Sequence, residues 1–336
     1  MIDLNHPWLH YSRISVCSNG TLYFEPKVQD FIRKHNSHLS FTVSIDGDKK
    51  LHDSCRVFPD GSGSYDVAMA AAKHYAKHYL NGKVESLNSK MTISPENLPH
   101  LTRAVKSLID IGYKVINLNC TYEAEWNEYD AKLFYNSLKE IGDYLIETNK
   151  CFTTKIALFD PFCCTPMEDN EIQNWCGGNG IMLSVDYKGD LYPCIRYMDS
   201  SLNGKQEPYL IGNIDRGMMT TDIEKERVKL LQETDRRTSS NDECFYCPIA
   251  QGCSWCTAYN YECFGTPKSR CTNICIMHKA RSLANAYYWN KVYRLDELEN
   301  KDNSRFIIHL PKEEALKIID ETEWNMLKEL EKPDFE

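Results

Sequence analysis

The sequence predicts an α/β fold: a parallel sheet with helical crossovers, then a small cysteine-rich region and a C-terminal helix. Two observations carry this. Strand-like and helix-like segments alternate with short links over residues 8–159, the pattern of strands joined by right-handed crossovers. Beyond them, seven of the 15 cysteines crowd into Cys244–Cys275, preceded by Cys176 and Cys194 at the two ends of a hairpin-like segment. A length of 336 residues suits about two domains and a tail.

The bulk numbers exclude several classes. Hydrophobic residues make up 42% and aromatics 11%, which favours a packed core over disorder. A net charge of −9 disfavours a nucleic-acid groove or a polybasic membrane surface, so no nucleic-acid or membrane partner is expected. No apolar run reaches the ~18 residues of a membrane span. Met1 to Pro7 has neither the basic segment nor the apolar stretch of a secretory signal, so a cytoplasmic chain is expected. In a reducing compartment thiols stay free for metals, and the odd cysteine count also disfavours a disulfide framework. Zinc and iron–sulfur remain as the alternatives.

Residues 8–17 read as a strand closed by the Asn19-Gly20 turn, and Val28–His35 as a short helix. Phe41–Gly47 is a compact strand with a polar tip, and Tyr65–Leu80 an Ala-rich helix. Lys90–Ile93 is a strand. A helix follows with Ser94 as cap, Pro95 in its first turn and Gly112 at its end. Val115–Asn119 is a strand, Glu128–Thr148 a long helix, and Thr153–Phe159 the last strand. Chemistry in such sheets collects at the C-terminal strand ends, where Ser44, Asp46, Thr92 and Asn119 fall. Each also fits as a helix cap or turn residue.

After residue 170, Trp175-Cys176-Gly177-Gly178 opens a new region. Ile181–Val185 and Leu191–Cys194 form a hairpin about Asp186–Asp190, and Ile211–Ile214 lies in the spacer before the dense cysteines. Cys17, Cys55, Cys120 and Cys151 read as packing residues, and the vicinal Cys163-Cys164 as structural. His278–Tyr293 is helical and aromatic. Lys312–Lys332 reads as one charged amphipathic helix docked on the chain's own core.

Two stretches carry a family resemblance. Ser44-Ile45-Asp46-Gly47, then His52-Asp53 with Arg56, then the Gly/Ser run Gly61–Ser64 before a helix, resembles the middle of the radical S-adenosylmethionine (radical SAM) barrel. The likeness is to its peptide-modifying members with a SPASM domain. Cys176-x12-Gly189-x4-Cys194, a gap, then Cys244-x2-Cys247-x5-Cys253-x2-Cys256 and the later Cys275 resembles the SPASM pattern, with Cys256 one residue early. The C-x2-C-x5-C portion is highly specific. The resemblance spans about residues 8–290.

The resemblance implies a partial (βα)6-type barrel over residues 1–165 with the first two βα units missing, a SPASM domain over 170–290 and a helical extension over 291–336. It implies that Ser44 and Arg56 help hold the amino-acid end of S-adenosylmethionine in the intact enzyme. It implies two auxiliary [4Fe–4S] clusters. The outer uses Cys244, Cys247, Cys253 and Cys275. The inner uses Cys176, Cys194 and Cys256, with a fourth position open or filled by a further thiol. The defining C-x3-C-x2-C motif does not occur, so an N-terminally incomplete chain, no catalytic residue and no activity of this chain alone are expected.

The expected role is part of a radical SAM maturase that modifies or thioether-cross-links a ribosomally made precursor peptide. Its expected partners are that peptide, a separately encoded N-terminal half, and a reductant such as ferredoxin or flavodoxin. The rival readings are a non-catalytic iron–sulfur electron-transfer or peptide-binding module of a split enzyme, or a structural zinc protein. Two C-x2-C pairs also resemble a zinc ribbon, although the second starts only five residues after the first.

Overall fold

A computed structural model describes residues 14–81, 88–172, 176–295 and 305–332. The expectations for residues 8–13 and for Trp175 lie outside these. The chain divides into two compact units. One takes in the chain up to Pro161 together with Leu283–Ile308 and the stretch from Lys312 on; the other holds Phe162–Ser282 and His309–Pro311.

The first unit is α/β with parallel strands. β1 (Ile14–Ser18) pairs with β2 (Leu39–Val43) through the connecting helix α1 (Pro26–His35). β3 (Asn88–Ile93), β4 (Val115–Cys120) and the two-residue β5 (Lys155–Ile156) form a second parallel set in that order. Helices α2 (Lys49–Cys55) and α3 (Tyr65–Tyr79) lie between β2 and β3, α4 (Leu101–Ile111) between β3 and β4, and α5 (Glu128–Glu147) after β4. Crossovers of this length are what parallel pairing requires. β2 alternates buried and half-buried residues, while Met91, Ile93, Ile116 and Leu118 of β3 and β4 are all but fully buried. The helices close over them with Ala68, Ala72, Leu108, Phe134, Leu138 and Ile141.

Several boundaries differ from expectation, each for a local reason. The helix placed after Ser94 starts later, at Leu101, behind a 3-10 turn at Leu98–His100. The Asn97 side chain accepts from Ser94 N (2.9 Å) and donates to Thr92 O (2.9 Å), so this segment is a side-chain-held turn and Ser94 is not the cap. Gly112 does end the helix, in the left-handed region at φ 109°. The strand expected over Thr153–Phe159 shortens to Lys155–Ile156. The expected single C-terminal helix is two, α12 (Lys312–Ala315) and α13 (Glu321–Leu330), because Asp320 caps the second by accepting from Glu323 N (2.8 Å). α13 docks on its own unit: Tyr135 donates to Glu323 (2.6 Å), and Lys139 pairs with the same carboxylate.

The second unit is built on four short antiparallel strands in sequential order: β6 (Ser184–Val185), β7 (Asp190–Tyr192), β8 (Gly212–Asn213) and β9 (Gly217–Met218). The expected hairpin is there, turned by Asp186, whose carboxylate accepts from Lys188 N (2.8 Å) and Asp190 N (3.0 Å). The helices are α6 (Asp199–Leu202), α7 (Asp222–Gln232), α8 (Arg236–Ser239), α9 (Asp242–Phe245), α10 (Thr257–Phe264) and the start of α11 (Cys275–Val292). Leu191, Tyr197, Leu202, Tyr209, Ile211, Val228, Leu231, Ala258 and Tyr261 form its core, with Cys194 and Cys256 packed against it.

Candidate metal centres and cofactor loop

The C-x2-C-x5-C stretch folds as a run of tight turns. Asn241 caps α9 by accepting from Cys244 N (2.9 Å), Ala250 N returns to Cys247 O (3.1 Å), and Cys253 N to Ala250 O (3.1 Å). Gly252 makes the reversal at φ +73°, and a Cβ there would stand 2.4 Å from Cys163 Sγ. Cys275 opens α11, and His278 one turn on donates from Nε2 to Ile249 O (2.7 Å). This bond ties the helix start to the cysteine turns. Full burial holds His278 neutral, pulling its pKa down to about 4.

These turns gather four thiols. Burial pushes Cys275 up to about 11, and the nearby Cys253, Cys247 and Cys244 add to the rise. Burial likewise raises Cys244 and Cys247, with Cys253 acting on both. Cations offset this: Arg270 lowers Cys244 and Cys247, and Lys279 lowers Cys247 and Cys275. Arg270 also donates to Cys253 Sγ (3.2 Å) and to Ser240 Oγ (2.8 Å), and its guanidinium lies over the Trp255 ring. Arg270 is the residue here that spacing alone did not single out; a lone arginine between cysteines has no sequence signature.

A second set includes Cys194 and Cys256, packed against the unit's core. Burial raises Cys194 to about 11, and Cys256 and Cys176 push it further. Cys256 is raised by burial and by Cys176 and lowered by Arg196 and two backbone N–H groups. Its Sγ caps α10, accepting from Tyr259 N (3.4 Å), and Cys176 Sγ accepts from Gly178 N (3.4 Å). Thr257 Oγ1 donates to Gly178 O (3.1 Å), fastening the Cys176 loop to α10. Cys256 is thus the last residue before α10.

Both sets have the donor chemistry that a cluster needs: half-buried thiols, charge-compensating arginine and lysine, and N–H groups directed at sulfur. Among the described residues no three His, Cys, Asp or Glu side chains converge tightly enough to hold a single metal ion.

In the first unit, the loop after β2 is a closed hydrogen-bond network. Arg56 pairs with Asp46 through Nε and Nη2. His52 Nδ1 accepts from Asp46 N (3.3 Å), and its Nε2 meets Ser64 Oγ (3.1 Å). Asp53 accepts from Tyr65 N (2.8 Å) at the start of α3. Gly63 is required beside it, since a Cβ would fall 2.0 Å from the Asp53 carboxyl carbon. Ser44 is buried, its Oγ 3.6 Å from Cys17 Sγ. His52, Asp53 and Gly63 therefore act as the frame that sets Asp46 and Arg56.

The fold is similar to that of solved proteins with bound AdoMet. Among the solved structures it resembles, the His6-tagged anSMEcpe with bound AdoMet aligns at TM-score 0.53 and 17% identity over 84% of this chain and 75% of that one. Native anSMEcpe with bound AdoMet and Kp18Cys peptide aligns at TM-score 0.53 and 16% identity over 84% and 76%. Identity this low establishes a shared fold and nothing of the site. No family model and no curated protein matches the sequence.

Proposed function

We propose that the chain is the S-adenosylmethionine-positioning and SPASM part of a radical SAM enzyme that modifies a ribosomally made peptide. The observation that carries this is the sorting of seven thiols into two separate sets inside the second unit. Cys244, Cys247, Cys253 and Cys275 would hold the outer auxiliary [4Fe–4S] cluster. Cys176, Cys194 and Cys256 would hold the inner one and leave a position for a further ligand. A single zinc ion would draw four sulfurs to about 2.3 Å of one point, whereas a cubane holds them at separate corners of a cage.

Such clusters, when bound, supply one-electron capacity or an iron that binds a substrate thiolate. The chain's own residues do the rest. Arg270 and Lys279 offset the negative charge that four thiolates bring together. The N–H groups of Gly178 and Tyr259 and the Arg270 guanidinium steady sulfur as thiolate. In the first unit, the Asp46–Arg56 pair, framed by His52 and Asp53, would orient the amino and carboxylate groups of S-adenosylmethionine, and Ser44 would add a hydroxyl. The likeness in fold to anSMEcpe with bound AdoMet and a peptide supports both ligands for this chain as proposals.

Because the sequence holds no C-x3-C-x2-C, the first cleavage of S-adenosylmethionine would depend on a motif supplied elsewhere. That same feature favours the second reading, an electron-transfer or peptide-binding module within a split enzyme.

Anaerobic reconstitution with iron and sulfide analysis tests the metal reading. About eight irons per chain are expected, four for each cubane; stoichiometric zinc without iron would overturn it. Under dithionite no 5′-deoxyadenosine should form from this chain alone, and its detection would refute the dependence on a separate motif.

A further inference from the structure

Besides the vicinal Cys163 and Cys164, two cysteines of the second unit belong to neither thiol set. Cys263 lies in the last turn of α10 and Cys271 in the loop before α11, and their sulfurs stand 4.0 Å apart. Both are half-buried, so reagents can reach them. Cys263 is among the groups that push the Cys271 thiol up, after burial. The backbone at both ends is pinned by one buried side chain: Asn260 accepts from Cys271 N (2.9 Å) and donates to Pro267 O (2.9 Å). Gly265, left-handed at φ +70°, turns the chain between them. Around the sulfurs, Cys271 Sγ donates to Asn273 Oδ1 (3.4 Å), and the Tyr259 hydroxyl shares a hydrogen bond with Cys263.

A disulfide needs its sulfurs about 2 Å apart and its α-carbons within about 7 Å. Two thiols just outside van der Waals contact, on a backbone held by Asn260, can close the remaining gap by side-chain rotation. We propose that Cys263 and Cys271 form a reversible disulfide, a redox modification site separate from the cluster ligands, with a low-molecular-weight disulfide as oxidant.

One thiolate of the pair attacks a sulfur of the oxidant. A mixed disulfide forms and the first small thiolate leaves. The second thiolate of the pair then attacks the protein-side sulfur, closing Cys263–Cys271 and releasing the second small thiolate. Each released thiolate takes up a proton given up by a cysteine. The pair loses two electrons, and the oxidant's disulfide gains them as two thiols.

The test uses the full chain after anaerobic cluster reconstitution. It is equilibrated at pH 8 in reduced and oxidised glutathione, acid-quenched, alkylated, and digested with trypsin and Glu-C. Cleavage after Glu262, Lys268 and Arg270 places Cys263 alone in peptide 263–268 and Cys271 in 271–279. The expected product is these two peptides joined with loss of two hydrogens, lost again after dithiothreitol. Fragmentation between Thr272 and Ile274 assigns the bond to Cys271 and not Cys275. The double variant Cys263→Ser, Cys271→Ser should keep the wild-type iron content and lose the linked product. The proposal is overturned if both thiols stay alkylatable across the full glutathione range, if Cys263 links to another cysteine, or if the double variant loses iron and so reports ligands.

Discussion

Replacing Glu224 by glutamine tests how the second unit is locked at α7. Glu224 is 2% exposed and sits at the third position of the helix, in a capping box with Thr221. Its carboxylate accepts from Thr220 N (2.9 Å), Thr220 Oγ1 (3.1 Å) and Thr221 N (3.1 Å) and is gripped by both terminal nitrogens of Arg216. Arg216 comes first among the causes that hold its pKa down, from 4.5 to about 2. A depressed carboxylate contributes stability that is present above the unfolded pKa and is lost as pH falls through the folded one, here from about 4.5 to about 2. A shift of that size is worth about 3 kcal/mol if fully realised. Arg216 is 39% exposed, so solvent screening reduces the figure to about 1–2 kcal/mol. Glutamine keeps an acceptor for the Thr220 and Thr221 N–H groups but removes the charge. Hydrogen-exchange protection over residues 221–232, corrected for intrinsic rates, should be about 5- to 30-fold lower in Glu224→Gln at pH 7. The gap should close towards pH 2–3. An equal gap at pH 7 and pH 3, or none at pH 7, would refute the reasoning.

Cys244→Ser and Cys256→Ser should each remove about four irons of about eight, because each belongs to a different set; loss of all iron from either would show one shared centre, read by iron analysis. Gly63→Ala should cost about 1–3 kcal/mol by driving a methyl into the Asp53 carboxylate. Gly61→Ala, with nothing within 4 Å but φ +84°, isolates the backbone cost in the same loop, and thermal melts compare the two. Arg56→Ala leaves the Asp46 carboxylate, 10% exposed at its side chain, without its cation; about 1–3 kcal/mol of stability and S-adenosylmethionine binding should fall together, followed by melting with and without ligand. Asp320→Ala should cost about 1 kcal/mol and free α13, seen as proteolysis near residue 320.

The helical frame was legible because its signals are local and periodic. α3, α5 and the glycine end of α4 follow from composition, apolar spacing and a left-handed cap. The strands were less so. Two residues of β5 pair where seven looked extended, since pairing depends on a neighbour far along the chain. β8 and β9 are two residues each, too short for any alternation to register. At the site, cysteine spacing indicated which thiols to watch, and the turns bring them near one another as two sets. It did not indicate Arg270 and Asn260, whose parts depend on the angle at which a loop returns. Nor did it decide whether Arg56 meets Asp46 or stands apart, a matter of side-chain reach across ten positions.

Gly252 bears on how kin of this chain can be found. It is closed to substitution twice over, by its left-handed backbone and by the Cys163 sulfur lying where a methyl would go. The two constraints have different fates under mutational drift. A change at 163 to a smaller side chain relieves the crowding but not the torsion, so glycine should outlast cysteine there. Gly252 directly before Cys253 is therefore a better probe for remote homologues than the vicinal pair, and a lineage with another residue at 252 should have rebuilt the whole turn.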